Sequence, residues 1–131
     1  MRKVSVDKLK NQVVKAIIEN SIGSIRKPGW TPYTYNYGYL IDFINPIDEE
    51  NWDIIIPEER FKKGQEVEVR IIGIIAQEEG DDNLIGIPSD KEVDEEELRR
   101  IEREIIERGY RNTKLILFKR NQSGPASTRS V

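Results

Sequence analysis

Hydrophobic and polar positions alternate along several short segments of the chain, which predicts a mainly β protein. Residues 12–18 are rich in β-branched side chains and predict a strand. Residues 66–77 begin with strict alternation and then become apolar on both faces. This pattern predicts a long strand that enters the core, with a bulge or bend at Gly73. Shorter apolar runs predict further strands within 33–44 and at 54–56, 84–87 and 114–118.

One segment, residues 90–108, has the periodicity of a helix. Asp94 and Glu97 have the spacing of a capping box at its start. Its apolar stripe consists of Leu98, Ile101 and Ile105, widened by Ile106, and its favourably ordered ion pairs are Glu95–Arg99, Glu96–Arg100 and Glu104–Arg108. Short strands separated by turns and followed by one helix favour a small closed or nearly closed, OB-like β-barrel with one long C-terminal helix packed on it.

The length of 131 residues fits a single domain, which we expect at 1–120. The first ten residues are polar and predict a loose arm, while the small polar residues 121–131 predict a disordered tail. No apolar run approaches the ~18 residues of a membrane span, and no apolar stretch follows the basic residues at the start. We therefore expect a cytoplasmic protein that makes no contact with a membrane.

Composition narrows the chemistry further, because the chain contains neither cysteine nor histidine. Thiol chemistry, serine–histidine triads and zinc fingers are thereby excluded, and any metal must be bound by oxygen atoms, which favours Mg²⁺, Mn²⁺ or Ca²⁺. The net charge of −3 argues against a nucleic-acid binder. Abundant charged residues with scarce Cys and Met are typical of proteins from hot environments, so we expect a thermostable protein.

Two acidic segments, 48–53 and 78–82, each flank a predicted core strand. Either segment alone is most simply a solvated turn, with Gly80 supplying a tight conformation in the second. If their strands are neighbours, however, the two loops converge at one end of the barrel and form an oxygen-only metal site. Asp53 directly precedes the predicted strand 54–56, so its position should be set by the core.

Tyrosines 33, 35, 37 and 39 alternate, so an extended strand would place all four on one side. Three interpretations are open: an amphipathic boundary between core and water, hydroxyl donors to phosphate, or a stacking surface for nucleotide bases. Basic residues at Arg26, Lys27 and Arg111 contribute only if they point at the same mouth as the acidic loops.

Five segments together resemble the soluble inorganic pyrophosphatases, a Mg-dependent β-barrel family, in one of its shorter variants. The run ENSIGSIRK at 19–27 resembles the motif E-I-P-x-G-S-x-x-K, and NYGY at 36–39 reproduces the motif N-Y-G-Y/F. DEENWDIII at 48–56 resembles the signature D-G-D-P-x-D-V-L-V. Residues 63–73 resemble the P-G…R-x-x-G strand, and 78–88 resemble the second acidic loop of the family. Tyr110 and Arg111 correspond loosely to a Tyr-Lys pair after a late helix.

The resemblance implies hydrolysis of pyrophosphate to two phosphates by metal-bound water, with Mg²⁺ as the cofactor and Mn²⁺ as the alternative. The implied metal ligands are Glu19, Asp48, Asp53, Glu78 and Asp81, with Asp82 as the alternative to Asp81. Glu50 would orient or deprotonate the water, and Asp53 would share in catalysis. The implied substrate-binding residues are Lys27, Tyr37, Tyr110 and Arg111. The implied partners are small-molecule pyrophosphate or phosphate and further copies of the same chain in a homo-oligomer. No nucleic-acid partner is expected.

The signature differs from the family pattern at three adjacent positions. Glu49 and Asn51 replace its glycine and proline, and Glu50 replaces its central aspartate. An arginine that precedes the N-Y-G segment in longer members has no counterpart. Two alternatives to an active inorganic diphosphatase follow: a catalytically weakened relative that binds Mg²⁺ or a phosphate compound, and an oligonucleotide-binding barrel that uses the tyrosine face.

Overall fold

The fold is known from a computed structural model, which describes residues 2–23, 25, 28–29, 35–57, 61–76, 82–92, 94–107 and 114–118. Seven strands and two helical segments are found there. The strands are β1 (Arg2–Lys3), β2 (Val13–Asn20), β3 (Asn36–Ile44), β4 (Asn51–Ile56), β5 (Glu66–Ala76), β6 (Asn83–Pro88) and β7 (Lys114–Leu117). A 3-10 turn spans Val6–Lys8, and α1 spans Glu95–Glu107.

Strands β2 to β6 close into a five-stranded barrel, as the sequence predicts. The hydrogen-bonded neighbours run β3, β2, β5, β6 and β4, and a further pairing of β3 with β4 completes the circle. All of these pairs are antiparallel except β4 with β6. The predicted irregularity at Gly73 is confirmed, because the register of β5 against β6 shifts between Ile71 and Gly73. Strand β1 extends the sheet beside β3, and β7 pairs with the end of β5.

One wall of the barrel, formed by β4, β5 and β6, is buried on both faces. Ile54 and Ile56 belong to the apolar cluster that fills the barrel, whereas Ile55 belongs to a second cluster on the outer face. The second cluster also contains Ile85 and Ile101, so α1 covers this wall from outside. Continuous apolar runs occur where the sheet has apolar neighbours on both sides.

Helix α1 is 13 residues long and begins as predicted, since the Asp94 carboxylate accepts a hydrogen bond of 2.8 Å from the Glu97 N–H. Ile101 is 1% exposed and Leu98 packs against the same outer cluster. The side chain of Ile105 lies outside the described residues. The predicted widening of the stripe by Ile106 is wrong, because Ile106 is 41% exposed.

The helix surface is arranged partly as predicted. Arg99 contacts Glu95 at 3.1 Å, which confirms that pair. Arg100 contacts Glu104 at 3.1 Å and not Glu96, because a residue in mid-helix can reach an acid one turn in either direction. The predicted pair of Glu104 with Arg108 lies outside the described residues.

The prediction of a loose N-terminal arm is wrong. Residues 2–3 pair with β3, and the Trp52 indole N–H donates a 2.9 Å hydrogen bond to the carbonyl of Val4. Leu9 is 1% exposed and belongs to the barrel cluster. A few apolar residues spaced among charged ones are enough to anchor the segment. The prediction missed them because the segment is polar on average.

Within the described residues, no helix has both the length and the apolar character needed to cross a bilayer. The predicted tail, 121–131, lies outside those residues, and the domain boundary at 120 stays a prediction.

Candidate active site

A groove of about 860 Å³ runs along the outer face of the barrel on the side that α1 leaves uncovered. Its floor is the outer face of β2, β3 and the first half of β4. Asp53 lies at its centre, because the neighbouring Trp52 and Ile54 both point into the barrel. The described residues that line the groove are Glu19, Asn20, Tyr37, Tyr39, Ile41, Glu49, Glu50, Asn51 and Asp53.

A bulge in β2 brings Glu19 to this groove. The register of β2 against β3 shifts between Ile18 and Asn20, so Glu19 is the additional residue. A bulge bends its strand and redirects a side chain, and here both Glu19 and Asn20 line the groove.

Gly38 makes the close contact of β2 with β3 possible. A Cβ atom at this position would lie 2.0 Å from the carbonyl oxygen of Ile17, which is backbone and cannot rotate away. The glycine of the N-Y-G-Y motif therefore holds its flanking tyrosines beside β2. Tyr37 and Tyr39, on the opposite face of β3 from the barrel interior, both line the groove.

Asp53 has the strongest electrostatic perturbation in the groove. Burial, together with the smaller effects of the negative charges of Glu19, Asp48 and Glu50, raises the pKa of the Asp53 carboxyl from its usual value near 3.8 to about 6. A hydrogen bond from the Tyr37 hydroxyl acts in the opposite direction, because it favours the ionised carboxylate. Glu19, Asp48 and Glu50, three of the predicted site residues, are thus close enough to act on Asp53.

The turn before β4 is held by its own hydrogen bonds. The Asp48 carboxylate accepts a bond of 3.0 Å from the Glu50 N–H, and the Glu49 N–H donates to the Asn45 carbonyl at 2.8 Å. Glu49 has a φ of 60°, a conformation that favours glycine, and its carboxylate contacts Lys3 at 2.8 Å. The glycine of the family signature falls on this position, and Glu49 adopts a conformation that suits glycine.

Asn51, which replaces the signature proline, bridges an irregularity between β3 and β4. Its side-chain amide donates to the carbonyls of Leu40 at 2.7 Å and Ile41 at 3.3 Å. The pairing of the two strands shifts at the same place. The replacement thus supplies donors that proline lacks. The sequence analysis expected Asp53 to precede this strand. Strand β4 instead starts at Asn51, so Asp53 is its third residue.

Asn36 fixes two loops at the end of the groove, a role that sequence analysis missed. Its buried side chain donates to the Ile56 carbonyl at 3.1 Å and accepts bonds from the N–H groups of Ile22 and Phe61 at 3.3 and 3.1 Å. It belongs to the N-Y-G-Y motif, but a single asparagine in a sequence does not reveal which loops it will join.

The strands that flank the second acidic segment meet beside Asp53. Asp53 of β4 pairs with Asn83 of β6, and β5 pairs with β6 up to the same residue. The end of β5, the start of β6 and Asp53 are therefore at the same end of the barrel. Glu78 and Asp81 themselves lie outside the described residues, and their roles as ligands stay predictions.

Comparison with known proteins gives structural likeness without sequence likeness. No protein-family model and no curated protein matches the chain. The inorganic pyrophosphatase of Thermus thermophilus superposes with a TM-score of 0.58 at 18% identity, over 82% of this chain and 80% of that one. The Coxiella burnetii enzyme gives 0.53 at 19% identity, over 82% and 84%.

The chain has the fold of the inorganic pyrophosphatases. The superposition on the Ehrlichia chaffeensis inorganic pyrophosphatase has a TM-score of 0.54 at 17% identity and covers 61% of this chain and 62% of that one. At such identities the likeness shows a divergent chain with the pyrophosphatase fold, and activity must be argued from the groove.

A divalent cation fits the groove in charge and in donor type. Burial raises the pKa of Asp53 most, three like charges add to the rise, and a bound cation would offset both effects. The donors are carboxylate oxygens, as Mg²⁺ prefers. Among the described residues, however, no three acids are arranged closely enough to hold a metal ion. Glu78 and Asp81, which the sequence analysis predicts as further ligands, are not among those residues.

Positive charge near the groove comes from a neighbouring depression that shares Glu19 and Asn20 with it. Lys62 and Lys63, from the loop between β4 and β5, line this depression. The sequence analysis gave neither lysine a role in binding. The predicted substrate-binding residues Lys27, Tyr110 and Arg111 lie outside the described residues, so of that set only Tyr37 is located in the groove.

Proposed function

We propose that this protein hydrolyses inorganic pyrophosphate to two phosphates in the groove around Asp53, with Mg²⁺ as cofactor and Mn²⁺ as a substitute. The observation that carries the proposal is the set of acids around Asp53 on a pyrophosphatase fold. Burial and, to a smaller extent, the neighbouring carboxylates raise the pKa of Asp53, so its anion is disfavoured unless a cation binds there. Perturbed carboxylates of this kind concentrate at functional sites.

Asp53 would bind the cation, together with Asp48 and Glu19 and with Glu78 and Asp81 from the second acidic loop. Bound Mg²⁺ supplies charge neutralisation for the polyanionic substrate and lowers the proton affinity of water. Glu50, exposed on the turn, would accept the proton of the attacking water. Its extra methylene, relative to the signature aspartate, lets it reach further but holds its carboxylate less firmly.

Tyr37 would change partners during the reaction. Its hydroxyl has one proton and donates it to Asp53 in the structure described here. Once a cation neutralises Asp53, that hydrogen bond loses much of its advantage, and the hydroxyl can donate to a phosphate oxygen. Lys62 and Lys63, with Lys27, Tyr110 and Arg111, would supply the remaining donors for the departing phosphate.

The test measures phosphate release from pyrophosphate with and without Mg²⁺, at 25 °C and at 70 °C. Asp53→Asn should reduce kcat/KM at least ~100-fold and weaken Mg²⁺ binding, because it removes the charge that the core fixes in place. Glu50→Gln should keep near-normal Mg²⁺ affinity and lose mainly kcat. Asp42→Asn on β3 and Glu107→Gln on α1, which do not line the groove, are matched controls and should behave as wild type.

A second candidate is a relative that binds Mg²⁺ or a phosphate compound without turnover. It is favoured by the substitution of Glu50 for the signature aspartate and by the absence of a three-acid cluster among the described residues. Mg²⁺ binding that depends on Asp53, without hydrolysis at either temperature, would establish this candidate. Wild-type hydrolysis by Asp53→Asn would exclude both.

A further inference from the structure

The groove is larger than inorganic pyrophosphate requires. Its volume of about 860 Å³ lies in the range of sites for drug-sized molecules, roughly 300–1,000 Å³. Pyrophosphate consists of two phosphoryl groups joined by one oxygen and would occupy a small part of that space. The rest of the groove is lined by side chains of a different kind.

Beyond Asp53 the groove has an aromatic and apolar wall. Tyr39 pairs directly with Asp53 across β3 and β4, and Ile41 follows two residues later on the same strand. Both side chains are half-buried and line the groove. Register partners lie about 5 Å apart, and residues two apart on a strand about 7 Å. A flat organic group can therefore lie on Tyr39 while a phosphoryl group attached to it reaches Asp53.

The charge of the lining does not by itself attract a second phosphoryl group. Among the described residues of the groove there are four carboxylates and no lysine or arginine. Tyr39 and Ile41 give no specific stabilisation to a fully ionic substrate. They can stabilise a nucleoside, because bases stack on tyrosine rings whatever their sequence identity.

We propose that the groove accepts a nucleoside 5′-diphosphate, with its terminal phosphoryl group at Asp53 and its base on Tyr39 beside Ile41. This inference rests on the proposed function, since the same phosphoanhydride bond is cleaved. The oxygen of water bonds to the terminal phosphorus, and the bond from that phosphorus to the bridging oxygen breaks. The bridging oxygen leaves on the nucleoside monophosphate, and one proton is released to solvent with inorganic phosphate.

Binding is measured first, because it does not depend on turnover. Isothermal titration in Mg²⁺ compares α,β-methylene-ADP with methylenediphosphonate, which has the same non-cleavable bridge but no nucleoside. We expect the nucleotide analogue to bind roughly tenfold more tightly, the contribution of one stacked base. Tyr39→Ala should abolish this difference and Tyr39→Phe should retain it. Equal affinities in wild type, or no binding of the nucleotide analogue, would overturn the inference.

Hydrolysis then separates this inference from the function on which it rests. Phosphate release from ADP and from pyrophosphate is measured for wild type and for Tyr39→Ala. We expect Tyr39→Ala to lower kcat/KM for ADP about tenfold more than for pyrophosphate. Hydrolysis of pyrophosphate without hydrolysis of ADP overturns the nucleotide inference and leaves the proposed function standing. Loss of both activities with nucleotide binding intact overturns the proposed function alone.

Discussion

The two outer walls of the barrel differ in polarity: one is apolar and covered by α1, and the other is acidic and open. Strand β4 belongs to both walls. Its second half presents Ile55 to the cluster under α1, whereas its first half presents Asn51 and Asp53 to the open groove. The wall under α1 is apolar on both faces and contributes burial. The wall at the groove keeps a partly buried carboxylate among other acids, which costs stability. The acidic groove thus lies on a part of the barrel that α1 does not cover.

The largest effect should come from Gly38→Ala on the groove wall. The new Cβ atom would meet the Ile17 carbonyl oxygen at 2.0 Å, so backbone would have to move. We expect a loss of at least about 4 kcal/mol in the free energy of unfolding, or no folding at all. Circular dichroism and urea unfolding measure this.

The matched variant on the covered wall is Gly86→Ala. Its Cβ atom would lie 2.6 Å from the Ile54 side-chain methyl, which can rotate. We expect about 1–2 kcal/mol. A larger loss for Gly86→Ala than for Gly38→Ala would contradict the claim that the groove wall has the tighter backbone contact.

The next effect should come from Ile101→Ala, which opens a cavity between α1 and the covered wall. Ile101 is 1% exposed, and we expect a loss of about 3 kcal/mol, within the usual 2–5. Ile106→Ala is the control on the same helix, and its loss should be below about 0.5 kcal/mol because Ile106 is exposed. The KM for pyrophosphate should not change in either variant. Equal losses for the two would show that α1 does not pack on this face.

Asp53→Asn should stabilise the protein above pH 6 when divalent cations are removed. The folded-state pKa of Asp53, about 6, is above its usual 3.8, so the protonated form is favoured by folding. In wild type the resulting stability is complete below about pH 4 and is lost as pH rises through about 6. Asparagine has no charge to bury, so the gain over wild type should grow across this interval and then stay constant.

The gain should be about 1 kcal/mol, since Asp53 is partly exposed and solvent screens its neighbours. Thermal unfolding in EDTA at pH 4, 5, 6 and 7.5 measures it. Added Mg²⁺ should reverse the order, because wild type alone keeps the full charge for binding the ion. A variant less stable than wild type at pH 7.5 without metal would show that the groove does not disfavour the carboxylate.

The smallest effect should come from Glu49→Gly in the turn before Asp53, where Glu49 has a φ of 60°. Glu49→Gly relieves the left-handed conformation but loses the exposed contact with Lys3, so we expect a change below about 1 kcal/mol in either direction. Glu49→Val should lose more than about 1 kcal/mol, because β-branched residues adopt this conformation poorly. Equal stability of the two variants would contradict the strained turn.

Local patterns in the sequence identified nearly every strand. The alternation of 66–77 predicted β5 and the irregularity at Gly73, and the apolar run at 54–56 predicted the buried half of β4. The pattern failed where few residues determine the outcome: Leu9 and Val4 anchor a segment that is polar on average, and the stripe of α1 is narrower than its sequence suggests.

The kinds of residue in the groove could be predicted from the sequence, but the contacts that hold them in place could not. Carboxylates and tyrosines within short motifs indicated an oxygen-ligand site, and Glu19, Tyr37, Glu50 and Asp53 do line one groove. The structural roles of Asn36 and Asn51 were not predictable, because each depends on carbonyls and N–H groups that come from distant segments. Lys62 and Lys63 had no signal that distinguished them from solvated lysines.

The sequence alone determined that the chemistry must use oxygen ligands, that the strands are short and that one capped helix follows them, since composition and periodicity are local properties. Only the tertiary structure decided which faces of the barrel are covered and which acids lie close enough to Asp53 to affect its pKa. The bulge at Glu19, the contact at Gly38 and the parallel pairing of Asp53 with Asn83 join residues that lie up to thirty positions apart in the sequence. Such pairings arise from barrel closure, and a linear pattern contains no information about which strand will be the neighbour.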